Sequence, residues 1–204
     1  MGNKVAESVL ENKTSYFVAI REFYGENIEE KVREGSIKRI EQYFDTHGFL
    51  PKEKAIHVES IIVPIASIYL SLKEEVGREA LDVIKAVKLE SAKANGRQMD
   101  ERLREIGSEA FFSWWEQYCR GMFGTENGFE SVHYPADEKG VSLDVCKCPY
   151  CDTLKEMECF ELISAFCDSD DYSYGNLSGV AFKRKGTLGQ GYERCDFRLE
   201  RAEI

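Results

Sequence analysis

FESVHYPADEKGVSLDV, residues 129–145, is where the chain changes its period. Phe129, Ser131 and His133 alternate with Glu130, Val132 and Tyr134, which suits a strand. Asp137–Gly140 carries turn chemistry. Val141, Leu143 and Val145 then alternate with Ser142, Asp144 and Cys146, a second strand. Toward the C-terminus, Thr153–Cys167 fits a helix, with Phe160, Ile163 and Cys167 on one face. Asp168–Gly179 is polar and reads as a loop. Val180, Phe182 and Arg184 open a third strand, Gly186, Gly189 and Gly191 form a turn, and Tyr192–Arg201 is a fourth strand. Hairpins at both ends of one helix predict a small four-stranded antiparallel sheet covered by that helix, ββαββ.

Toward the N-terminus the period is helical. Val5 to Phe23 suggests a first helix ending near Gly25. Ile28 to Phe44 suggests a second, with Gly48 as its stop. Pro51 can open the next. Ile61, Ile65, Ile68, Leu72 and Val76 share a face, and Pro64 must kink this helix unless it starts there. Ala80, Leu81, Ile84 and Val87 continue the pattern. Phe111, Trp114, Trp115, Tyr118 and Met122 make an aromatic face. Gly121, Gly124 and Gly128 mark the boundary. The class is α+β: about five helices in 1–125, the ββαββ portion in 126–204, and one compact unit expected from the two.

The 204 residues are 43% hydrophobic, enough for a sizeable core, which excludes disorder as the main state. Lys plus Arg is 27 against 37 Asp plus Glu, a net charge of −10. No excess of cations is present to displace counterions from nucleic acid or to bind an anionic membrane. Small molecules or other proteins remain as partners, and a small-molecule substrate is the expectation. No signal-type or membrane-spanning apolar run is present, Ala6 stands where a myristoylation signal wants Ser or Thr, and a cytoplasmic location is expected. Seven cysteines, six of them from Cys146 to Cys195, are then expected as reduced thiols.

Cys146, Cys148 and Cys151 spell C-x-C-x2-C. One C-x2-C pair is half of a zinc signature, and the second pair is missing. Packed thiols, a catalytic thiol or a thiolate metal site are the three readings. No metal and no cofactor is expected; these three cysteines are the ligands if a metal is present. FCDSDDYSYGNL, 166–177, places Asp168, Asp170 and Asp171 just after a helix C-terminus, where the dipole disfavours acids. It is either a solvated acidic loop or a carboxylate site for a cationic group, with Asn176 at its end. Arg184 shares a strand face with Phe182 and points inward. Its partner is a loop carboxylate or a substrate carboxylate. His133 is the sheet portion's general-base candidate of its type.

Several short motifs carry a resemblance. They are CPY at Cys148–Tyr150, FC with a following aspartate (Phe166, Cys167, Asp170), F-x-R at Phe182–Arg184, TLGQG at Thr187–Gly191 and CDFR at Cys195–Arg198. With RxALDxI at Arg78–Ile84, the chain from about Ile61 onward resembles the L-2-amino-thiazoline-4-carboxylic acid hydrolase family. The resemblance implies a hydrolase of a cyclic isothiourea: water adds at the amidine carbon and the ring carbon–sulfur bond breaks. Cys167, Asp170 and Asp171 are then the catalytic candidates, and Arg184, His133, Asp168, Asn176 and Cys195 the substrate-binding ones. Gly191, Cys195 and Phe197 also look like the 4-vinyl reductase domain, which implies a non-catalytic small-molecule-binding module instead.

Overall fold

The computed structural model describes residues 2–48 and 56–202. The helices are α1 (Gly2–Glu11), α2 (Thr14–Tyr24), α3 (Glu26–His47), α4 (Val63–Val76), α5 (Glu79–Ile106), α6 (Ser108–Met122), α7 (Pro149–Glu156), α8 (Ile163–Cys167) and α9 (Ser169–Tyr174). The strands are β1 (Glu130–Tyr134), β2 (Gly140–Lys147), β3 (Val180–Lys183) and β4 (Cys195–Arg201). Among the described residues they form one antiparallel sheet in the order β1-β2-β4-β3. The α+β class and the two hairpins are as the alternation predicts.

The chain divides into two compact units. One comprises Met1–Val87 and Asp152–Ala165, the other Lys88–Cys151 and Phe166–Ile204. In the first, the helix expected over Val5–Phe23 is two, broken before Thr14. Gly48 ends α3, with its N–H on the Phe44 carbonyl at 2.8 Å. Pro51 lies outside the described residues. Pro64 sits in the first turn of α4, directly after a π-turn over Val58–Ile62.

The second unit owes its core to the sheet's period of two. Val141, Leu143 and Val145 of β2 lie opposite Leu199, Phe197 and Cys195 of β4. All six are buried on one face, against Met99, Leu103, Phe111, Phe112 and Trp115 of α5 and α6. Each such side chain contributes about 1.5–3 kcal/mol on burial. On the other face Asp144 is buried, bound by Arg198 at 2.6 Å, Arg194 at 3.2 Å and the Tyr134 hydroxyl at 3.1 Å.

Two boundaries differ from the sequence reading. The helix expected over Thr153–Cys167 ends at Glu156 and resumes through a 3-10 turn at Phe160–Leu162 into α8. Glu158 takes a left-handed φ of 55° there. Neither Gly nor Pro marks that stop; it is a local turn in which the Glu158 N–H donates to the Lys155 carbonyl at 3.1 Å and the Cys159 N–H to the Leu154 carbonyl at 2.9 Å. The expected loop at Asp168–Gly179 begins with α9 instead. Asp170 and Asp171 therefore lie in a first turn, where the partial positive charge of the helix favours them. The local helix dipole thus acts on them with the sign opposite to that expected from the preceding helix end.

Candidate functional site

The second unit gathers the C-terminal motifs around one turn. Thr187 opens a 3-10 turn, Leu188–Gln190, through a capping box. Its hydroxyl accepts the Gln190 N–H at 3.2 Å, and its own N–H donates to Gln190 Oε1 at 3.2 Å. The Asp196 carboxylate accepts the N–H groups of Lys185 at 2.9 Å and Gly186 at 3.1 Å. Burial raises the Asp196 pKa, but these donors outweigh it and the carboxyl ends below its ordinary value. TLGQG and CDFR are thus two halves of one local structure.

That turn holds two sulfurs with consecutive residues. The Thr187 hydroxyl hydrogen bonds to the thiol of Cys167. The Leu188 N–H donates to Cys195 Sγ at 3.2 Å. Burial pushes Cys167 up to about 12, with Thr187 pulling down and Asp170 pushing further up. Burial takes Cys195 to about 11, opposed by the Leu188 N–H. Both are neutral thiols at rest. Cys167 is partly exposed and Cys195 is buried.

Arg184 follows β3 directly, and its side chain is only 8% exposed. It donates to Asp170 at 2.8 Å, to Asp171 at 3.1 Å and to the Cys167 carbonyl at 3.0 Å. Its guanidinium lies 5.5 Å from the ring centres of both Phe182 and Phe197. Of the two partners open to Arg184 in the sequence, the carboxylates of α9 occupy it. Burial raises the Asp170 carboxyl to about 6, against the pull of Arg184 and Lys88. The Lys88 ammonium stands 5.1 Å from the Phe166 ring centre, and Tyr150 packs on that ring at 4.9 Å.

Five of the eight candidates therefore converge: Cys167, Asp170, Asp171, Arg184 and Cys195. His133 does not join them. It lies on edge strand β1, lowered in pKa by burial and by Arg120, with Glu116 opposing. Asp168 is exposed at the head of α9, and Asn176 is exposed beyond its end. Cys146 is exposed on β2. Among the described residues no group of three or more His, Cys, Asp or Glu side chains is placed to hold a metal ion, so Cys146, Cys148 and Cys151 are not gathered as ligands. Two open depressions, of about 1090 and 650 Å³, are lined by residues that include neither Cys167 nor Cys195. Thr187 and Lys88 were missed in the sequence. The Thr187-x-x-Gln190 capping box was a legible sign of the first.

The described residues thus define an α+β protein whose sheet unit brings two neutral thiols beside an arginine-held pair of acids. Residues 55–199 match the L-2-amino-thiazoline-4-carboxylic acid hydrolase family, and the chain belongs to it. No curated protein matches the sequence. Solved structures that the chain matches include an H-NOX chain studied for heme distortion, 10% identical, covering 100% of this chain and 96% of that one with a TM-score of 0.34. A second H-NOX variant is 10% identical over 95% of this chain and 94% of that one, TM-score 0.36. A T. tengcongensis H-NOX variant is 11% identical over 100% and 98%, TM-score 0.33. No described helix is long and apolar enough to cross a membrane.

Proposed function

We propose that this chain hydrolyses a small cyclic isothiourea bearing a carboxylate, with Cys167 as nucleophile. The observation that carries the reading is the pair of thiols held by Thr187 and Leu188 beside a carboxyl raised to about 6. The Cys167 sulfur attacks the amidine carbon, and the ring carbon–sulfur bond breaks. Water then adds at the same carbon and displaces Cys167, so the product is the substrate plus one water. A buried thiol resists ionisation, but a protonated isothiourea bound beside it offsets that cost. Thr187 supports the developing thiolate. Asp170, ionised above its raised value, takes the thiol proton or activates the water. Arg184, engaged by both acids, positions them rather than the substrate. Lys88, whose charge acts on Asp170, is the cation proposed here to meet a substrate carboxylate.

Incubation with the thiazoline amino acid, followed by mass analysis for a gain of one water, tests the reaction. Cys167→Ser should lose turnover by about a hundredfold or more while still binding ligand. Full activity in that variant removes the thiol route and leaves water activated by Asp170 or Asp171. Binding without turnover in the natural chain favours the non-catalytic binding module instead.

A further inference from the structure

Cys148-Pro149-Tyr150-Cys151 is used by no step above, and its geometry is specific. Cys148 stands immediately before Pro149, the first residue of α7, and Cys151 closes the first turn, its N–H on the Cys148 carbonyl at 3.1 Å. Residues three apart on a helix are neighbours, so the two side chains meet. The Cys148 thiol shares a hydrogen bond with Cys151 and also faces the N–H groups of Tyr150 and Cys151. Pro149 fixes the backbone between the two sulfurs and withdraws one donor from that turn. Tyr150, its ring tilted against Phe166 with centroids 4.9 Å apart, anchors the segment. Cys148 is partly exposed, and Cys151 is 6% exposed.

We propose that Cys148 and Cys151 form a reversible intramolecular disulfide by exchange with a low-molecular-weight disulfide. The exposure sets the order. Cys148, as thiolate, attacks one sulfur of the incoming disulfide and releases its other half as a thiol. Cys151 then attacks Cys148 in that mixed disulfide and releases the second half. One sulfur–sulfur bond forms in the protein and one breaks in the reagent. The two cysteines lose two protons and two electrons in all, and the reagent gains them as two thiols. The N–H groups of Tyr150 and Cys151 favour the thiolate that begins the exchange. The hydrogen bond with Cys151, then burial, hold Cys148 well above the ordinary thiol range, so Cys148 rests as a neutral thiol.

The test is incubation of the full chain with glutathione disulfide, alkylation of the remaining thiols, and peptide mapping by mass. The expected result is loss of alkylation at Cys148 and Cys151 together, with the two joined, and full recovery on treatment with dithiothreitol. Cys151→Ser should stop at a glutathione adduct on Cys148, and Cys148→Ser should form neither adduct nor disulfide at this site. Cys146→Ser removes the exposed neighbouring thiol and should leave the pairing intact, as should Cys167→Ser, which separates this proposal from the hydrolase reading. A disulfide joining Cys151 to Cys167 or Cys195, one joining Cys146 to Cys148, or no disulfide at all would overturn it.

Discussion

Asp170 concentrates the chemistry of this chain at the residue scale. Its carboxyl has an ordinary value of 3.8 and is raised to about 6 in the folded chain, chiefly by burial. As the proposed base it works ionised, so kcat/KM should rise with pH through about 6 and level off above it. Asp170→Asn should remove that limb together with most of the turnover. A pH profile flat from 5 to 7 would take Asp170 out of the mechanism. The same shift bears on stability with a definite sign. Between the unfolded and folded values the folded chain holds the extra proton, so this group's contribution falls as pH rises through that window. Denaturant titrations at pH 4 and pH 7, for the natural chain and for Asp170→Asn, measure the difference. Arg184 shows what a sequence conveys at this scale: Phe182 two positions earlier says inward, while the choice of carboxylate needs the fold of α9.

Two small elements place the site. Gly96 of α5 lets α9 lie close: a Cβ there would fall 2.7 Å from the Tyr172 carbonyl oxygen. Gly96→Ala must push α9, and with it Asp170, away. A lower melting temperature and reduced turnover are expected, with a cost of about 1–3 kcal/mol. Gly121→Ala in α6 meets nothing within 4 Å and serves as the control, neutral or slightly stabilising by thermal unfolding. The turn at Thr187 is the other element. Thr187→Val removes the capping oxygen and the Cys167 hydrogen bond in one change. It should cost about 0.5–2 kcal/mol, read as a lowered melting temperature, and Thr187→Ser should restore both stability and turnover. Rescue of stability alone would separate the cap from any catalytic part of the hydroxyl. Gly186 is required here as well, since a Cβ would meet the Tyr192 ring at 2.4 Å. The capping box was readable in advance. The stop of α7 at Glu156 and the start of α9 were not, because no Gly or Pro marks either one.

At the scale of the whole molecule, the division of the chain follows its packing rather than its order. A boundary near residue 125 separates the periods of the sequence, but the sheet's buried face rests on Met99, Leu103, Phe111, Phe112 and Trp115, all before it. Residues 152–165, in turn, belong to the unit that begins the chain. A fragment of 126–204 should therefore lack a covered sheet face. It is expected to show no cooperative thermal transition and poorly dispersed amide resonances. A sharp transition in that fragment would mean that the sheet and its own short helices suffice.

By itself the sequence determined the class, the four strands with their hairpins, and the family. Period-two alternation at 129–145 and at 180–201 is a local property, and so are the glycine stops at 48 and 186–191. The family motifs are local in the same way, as is the capping box from Thr187 to Gln190. Only the tertiary structure decided which candidates meet. Cys167 and Cys195 lie far apart in sequence, yet they are held by adjacent residues of one turn. Arg184 closes on Asp170 and Asp171 because α9 forms and turns them toward it, and His133 is left out because β1 is the edge strand farthest in the order from β3. Local alternation can say that a side chain points inward. Strand order and helix approach, which depend on packing between residues distant in the chain, say what it finds there.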